Sequence, residues 1–358
     1  MMKDIAINPL PALTWNWLHI NDAPFNTAAT PVRMTPEITG RTDGISISES
    51  ATAENAALAH IETSAGKNCD SLFEHALPLA ITVDAHCTVA EPLVLTFDVT
   101  ERPATVSTQV IRAHAGARVT VIIITKSAAA TGGFQAQRTY CIAEKDAAIH
   151  LIKVQLLGDD FRQLDDTGVL CDERASVRFT QVTLGARQTY TGAAARIAGL
   201  QSSFYADTAY VARNNQSLDM NYLVRQAGQK SDCLMRVKGT LSDNAHKTYR
   251  GSIDFIPGCT GANGEEQEET LLLSPTATNK SIPLILCGED DISGEHGATI
   301  GRLNDDLLFY LTARGIGRKA AEAMHARAKV QSVAALIPHE PTVALITAYL
   351  DGVYGSDA

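Results

Sequence analysis

From about residue 80 the chain is a train of strand-like runs that recur at a nearly constant spacing. The stretches AGARVTVII, KDAAIHLIK, ERASVRFTQ and LQSSFYADT align on Val119, Ile149, Val177 and Phe204, at intervals of 30, 28 and 27 residues. KSDCLMRVK extends the series to Leu234, another 30 on. Each copy opens with a small or charged turn and continues as an alternating strand rich in β-branched and aromatic residues. No helical periodicity intervenes. A repeat of this length made of strand alone cannot bury its apolar side by itself, so the copies must stack, which predicts a β-solenoid. The rival is a β-sandwich whose hairpins happen to share the spacing. Asn-Gly and Asp-Gly hairpin turns are mostly missing between the runs, ANGEE at 262–266 being one exception, so the pattern favours the solenoid without closing the choice.

The flanks read differently. Residues 1–78 mix short periodic pieces with loops; SESATAENAALAHIE (48–62) carries alanine and leucine at helical spacing behind serine and threonine. After residue 300, NDDLLFYLTARGI places Leu307, Leu308 and Leu311 on one face, with Asn304 or Asp305 able to cap and Gly315 able to terminate. GRKAAEAMHARAKVQSVAAL and PTVALITAYLDGVYG, the latter opening on Pro341, predict two more helices. The expected division is a mixed α/β segment over 1–78, a stacked β core over 79–300 and a helical module over 301–358.

Composition removes several function classes. A formal net charge of −10 and the lack of a basic stripe argue against a nucleic-acid partner. No apolar run approaches the roughly 20 residues of a membrane helix, and the N-terminal stretch has no apolar core of a secretory signal. Seven cysteines are scattered without any CxxC pair, which fits neither a zinc ribbon nor a disulfide framework and suggests a reducing cytoplasm. Gly294, Gly297 and Gly301 precede a helix, but their spacing matches no phosphate-binding fingerprint and no lysine follows, so no nucleotide is expected on this chain. A serine-hydrolase elbow is missing as well.

The chemistry-bearing residues gather late in the chain. Cys287, Glu289, Glu295 and His296 fall within ten residues, and Glu268 sits about one repeat earlier. Thiolate, imidazole and carboxylate together suit labile iron. Bland readings compete at each position. Cys287 in LILC can be a small buried hydrophobe, and His296 can be a loop residue capping the following helix. The run GEEQEET (264–270) can be a solvated face, or the acid pair of a β-solenoid enzyme acting on carbohydrate. A solenoid interaction protein without iron chemistry is a third alternative.

The ordered string YRGSID, LLLS, EDD, HGATIG and LFYLTARGI, spanning 247–316, resembles the core signature of the SufB/SufD family of iron–sulfur cluster assembly scaffolds, and TWNWLHIND near the N-terminus is similar to the opening of shorter SufD-like proteins. The resemblance implies a right-handed parallel β-helix with a helical C-terminal module. It implies a non-catalytic scaffold that pairs with a SufB-like subunit or a second copy of itself and docks a SufC-type ATPase through its C-terminal helices. A transient cluster, or iron, would rest at the subunit interface. His296 matches the histidine that SufD-type subunits place there, as the candidate metal ligand, and Glu295 matches the glutamate before it in SufB-type subunits. Glu268 falls where SufB carries its acceptor cysteine, Gly297 where SufB has a further glutamate, and Gly294 where SufD often has a cysteine; nearby Cys287 is the available thiol. These departures imply a SufD-like rather than a SufB-like role, with residues 268 and 296 expected close together at a subunit seam.

Overall fold

A computed structural model of the chain describes residues 5–26, 30–40, 43–49, 58–74 and 76–355. Between Leu79 and Gly301 successive strands alternate between two facing sheets, and each pairs in parallel with the strand two places on. Among the described residues the sheets hold ten and nine strands. This is the parallel β-solenoid of the first reading, and the face-packed antiparallel sandwich falls away.

The period is set by the turns as much as by the strands. Asp146, Arg174, Gln201 and Lys230 occupy equivalent corners, each with a left-handed backbone (φ 63°, 54°, 56° and 53°). That conformation is unfavourable for a residue with a side chain. Here each corner N–H donates to a carbonyl of the next corner: Asp146 to Glu173, Arg174 to Leu200, Gln201 to Gln229 and Lys230 to Thr260, at 2.8–2.9 Å. Stacked corners thus satisfy backbone groups that would otherwise face outward unpaired.

Val119, Ile149, Val177 and Phe204 are direct register partners, as their spacing predicts. The series then slips by one. Phe204 pairs with Cys233, while Leu234 pairs with Tyr205. Cys233 is fully buried. Because side chains alternate across a strand, one residue of register moves a side chain to the other face; the small, inward Cys233 therefore continues the row that Leu234 seemed to extend.

Three apolar layers result. The solenoid interior holds one continuous cluster from Leu79 to Ala262. Outside the larger sheet, Ile7, Phe25 and Phe73 pack on Phe134, Leu164 and Tyr190, with Phe25 edge-on to Tyr190 at 5.4 Å between ring centres. Outside the smaller sheet, Val330, Val333, Ile346 and Leu350 pack on Ile152, Val154, Val182 and Val211. Burial on both faces explains runs such as VTVIIIT, which would be odd in a half-exposed strand.

The two ends of the stack differ. At its start, Ile45–Glu49 and Glu37–Thr39 lie antiparallel on Leu79–Val83 and Leu93–Asp98. These short strands are the last of their sheets on that side. They also move the start of the helix expected over 48–62: Ser48 and Glu49 belong to a strand, residues 50–57 lie outside the described residues, and Leu58 is helical. At the far end the last strands, Thr278–Cys287 and Ile292–Gly301, have a neighbour on one side only.

Three helices follow: α1 (Asp305–Ala313), α2 (Arg318–Ala334) and α3 (Glu340–Tyr354). Asn304 caps α1, its side chain accepting from the Asp306 N–H at 2.8 Å. Of the three leucines expected on one face of α1, only Leu308 is buried, and Leu307, Phe309 and Tyr310 are exposed.

Candidate functional site at the open end of the solenoid

The penultimate strand of the smaller sheet, Ala262–Leu272, alternates strictly. Ala262, Gly264, Glu266, Glu268 and Thr270 are buried inside the solenoid, whereas Asn263, Glu265, Gln267 and Glu269 face outward. The final strand, Ile292–Gly301, stacks on it in register, Glu265 to Glu295, Glu266 to His296 and Glu268 to Ala298. Parity therefore puts His296 on the inward row and Glu295 on the outward one. His296 is a strand residue and does not cap the following helix, a task Asn304 performs. No further rung covers it. Its side chain is 41% exposed at the mouth of the solenoid.

Register also corrects the expected pairing of residues 268 and 296. The residue beneath His296 is Glu266, whose Oε2 lies 3.3 Å from the imidazole Nδ1. Glu268 is engaged elsewhere. It forms a fully buried ion pair with Lys247 and accepts from Thr270 at 2.9 Å and from Ser281. Burial alone would raise the Glu268 carboxyl, but Lys247 and these hydroxyls outweigh it and hold the group below the ordinary carboxylate value. The Lys247 ammonium in turn lies 5.4 Å and 5.2 Å from the ring centres of Tyr210 and Tyr249. Glu268 is thus locked into the wall.

Glu266 is as buried as Glu268 but poorly satisfied. Neither of its carboxylate oxygens, nor the adjacent Tyr249 hydroxyl, makes a hydrogen bond of normal geometry. Burial first, and then the charge of Glu268, push its pKa up to about 7, against the opposing pull of His296. Gly251 makes room for this crowding: a Cβ there would stand 2.7 Å from the Tyr249 hydroxyl and 3.1 Å from Glu266 Cγ.

Cys287 ends the last strand of the larger sheet. Its register partner is Phe255, a core residue, so alternation does aim it inward as the buried-hydrophobe reading supposed. With nothing stacked above, it is exposed all the same. The GEDD turn next to it uses Glu289 to accept the Gly258 N–H at 2.9 Å and the Asp290 N–H at 3.0 Å. Among the described residues no three His, Cys, Asp or Glu side chains converge closely enough to hold a metal ion. The run 264–270, split between two faces with one member paired to Lys247, also supplies no facing acid pair.

Sequence reading missed Glu266, Lys247 and Tyr249. Spacing alone does not select Glu266: steps of 27 to 30 residues back from His296 reach anywhere from 269 to 266, and only the register with the rung beneath picks 266.

Fold and site together define a class: a parallel β-solenoid whose last rung presents an imidazole, with a thiol at the end of the last strand of the facing sheet. The chain belongs to the family described as the SUF system FeS cluster assembly SufBD core domain, whose model matches residues 97–329. It is 30% identical over 122 residues to the iron-sulfur cluster assembly protein SufD of Bacillus subtilis, covering 34% of this chain and 28% of that protein. Against an iron-sulfur cluster assembly SufBD family protein of Mycobacterium leprae it is 29% identical over 205 residues, 54% of this chain and 52% of the other. Against Bacillus subtilis SufB the identity is 22% over 202 residues, 56% and 43%. The matched stretches thus span about half or less of each relative's length.

Proposed function

We propose that this chain is a SufD-like scaffold subunit of an iron–sulfur cluster assembly complex, with no turnover of its own. In this reading its open solenoid end meets a SufB-like subunit or a second copy, and its C-terminal helices dock a SufC-type ATPase. The observation that carries it is the uncapped final rung. A terminal repeat with an exposed strand edge is a liability unless something covers it, and here that edge carries His296, with Cys287 ending the last strand of the facing sheet. The cluster, or iron on its way to one, is cargo held across the seam. Imidazole suits that task because its ordinary pKa lies near neutrality and either nitrogen can ligate.

Two features support the SufD-like side. Glu268, at the place of the SufB acceptor cysteine, is tied up in a buried ion pair, so this subunit offers no thiolate there. On α1, Leu307, Phe309 and Tyr310 are large apolar side chains left in solvent, of the kind a docking partner covers. Seven unpaired cysteines, six of them wholly or partly buried, fit a reducing cytoplasm.

The test is co-expression with the candidate ATPase and sibling scaffold, purification under argon, and iron–sulfur reconstitution followed by absorption spectroscopy. A stable complex whose cluster absorption falls when His296 is changed to alanine is the expected result. A chain that co-purifies with neither partner, or a complex indifferent to His296→Ala, would overturn the reading.

A further inference from the structure

The Glu266–His296 contact is a poor hydrogen bond and a good ligand pair. A buried carboxylate ordinarily collects donors, as Glu268 does, because an unsatisfied buried charge is costly. Glu266 is 2% exposed, yet no group donates to either oxygen with hydrogen-bond geometry. On the open side the His296 imidazole lies 3.3 Å from its Oε2. Nitrogen and oxygen ligands at about 2.1 Å from one divalent ion stand about 3.0 Å apart when cis in an octahedron and about 3.4 Å apart in a tetrahedron. The observed separation lies in that interval.

We infer that Glu266 and His296 form a two-residue site for a divalent cation, ferrous iron in the working protein, at the mouth of the solenoid. This rests on the reading of His296 as a seam residue and adds a ligand to it. The ion would give the buried Glu266 charge the counter-charge it lacks. With two ligands from this chain, the remaining positions go to water or to side chains of the subunit across the seam. A half-built site binds weakly and releases readily, as delivery to a growing cluster requires. Glu295, one residue away but on the outward row, takes no part.

The experiment is anaerobic calorimetric titration of the full chain with Fe2+ alone, comparing wild type, Glu266→Gln and His296→Ala. Circular dichroism checks the fold, and gel filtration with the ATPase and sibling scaffold follows each variant. Losing an outer-shell partner of a metal ligand typically weakens binding by about 10- to 100-fold; losing a ligand should cost at least that. Each substitution is therefore expected to weaken Fe2+ binding by ten-fold or more, while Glu266→Gln still enters the complex. Wild-type affinity in Glu266→Gln overturns the inference even where His296→Ala binds poorly, and so does a wild-type chain that assembles normally but binds no Fe2+. Fe2+ binding that needs both residues, in a chain that joins no complex, upholds the site and overturns the scaffold reading instead. Should Glu266→Gln fail to fold, Glu266→Asp retracts the carboxylate while keeping its charge, and unchanged Fe2+ affinity there would likewise overturn the site.

Discussion

Glu266 and Glu268 stand two residues apart on the same inward row, and their surroundings set them to opposite tasks. Glu268 is neutralised by Lys247, both side chains being fully buried. Replacing Glu268 with alanine leaves the Lys247 ammonium buried and unpaired, which costs about 3–5 kcal/mol in comparable sites; urea denaturation of the variant should show a loss of that order. Glu266 behaves differently with pH. Burial raises its folded pKa to about 7, above the ordinary value of 4.5. The folded state therefore binds its proton more tightly than the unfolded chain does. The resulting stability is complete below about pH 4.5 and is lost as pH rises through about 7. Glu266→Gln keeps the shape and removes the titration, so it should gain on wild type by a few kcal/mol between pH 5 and 8. Unfolding midpoints across that range check the sign: a gap that stays constant would show that Glu266 does not titrate there.

At the scale of elements, legibility followed the physics that fixes each one. The strands were readable because burial on both faces leaves a long β-branched run bounded by turn residues, and the repeat was readable because stacked corners enforce it. Register was readable only until Leu234, since nothing local distinguishes it from Cys233; the rung beneath chooses. The same limit applies to the partner of His296: repeat steps of 28 and 30 residues reach Glu268 and Glu266 respectively, and only the rung beneath selects Glu266. His296 itself looked like a loop residue because glycines flank it, whereas pairing with Glu266 holds it in a strand. Helix α1 is legible from its Asn304 cap, α2 from its alanine-rich run and α3 from Pro341. What the sequence did not reveal is that α1 keeps most of its apolar residues in solvent, because amphipathic spacing predicts a buried face without saying what buries it. If that face docks the ATPase, Phe309→Asp should abolish co-purification with it. The thermal midpoint should hold within a degree or two, since Phe309 is 76% exposed and packs on little. Asn304→Ala, by contrast, should loosen the helix itself by about 1 kcal/mol through loss of its cap, seen as faster amide exchange in α1.

For the whole molecule, the asymmetry between its ends decides how it behaves alone and in company. At its start the stack ends in short antiparallel strands, while the far end leaves the ten-residue strand Ile292–Gly301 exposed, with an inward row that has no roof. In a stacked repeat each rung is stabilised chiefly by its neighbours, so the last rung is the least stable part of the solenoid. A partner that adds strands there contributes the missing neighbour, and its binding energy becomes folding energy of the terminal rungs. Ile300 lies on that inward row, 44% exposed at the edge. Ile300→Lys should therefore act as charged edge residues do in natural sheets and block pairing. The expected outcome in sedimentation velocity is specific. The variant still binds the ATPase through its helices, because α1 to α3 are untouched. It fails to join a sibling scaffold or a second copy, and amide exchange over residues 278–301 stays fast where partner-bound wild type becomes protected. Pairing that survives a lysine at this position would place the seam elsewhere on the solenoid and remove the reason for reading His296 as part of it.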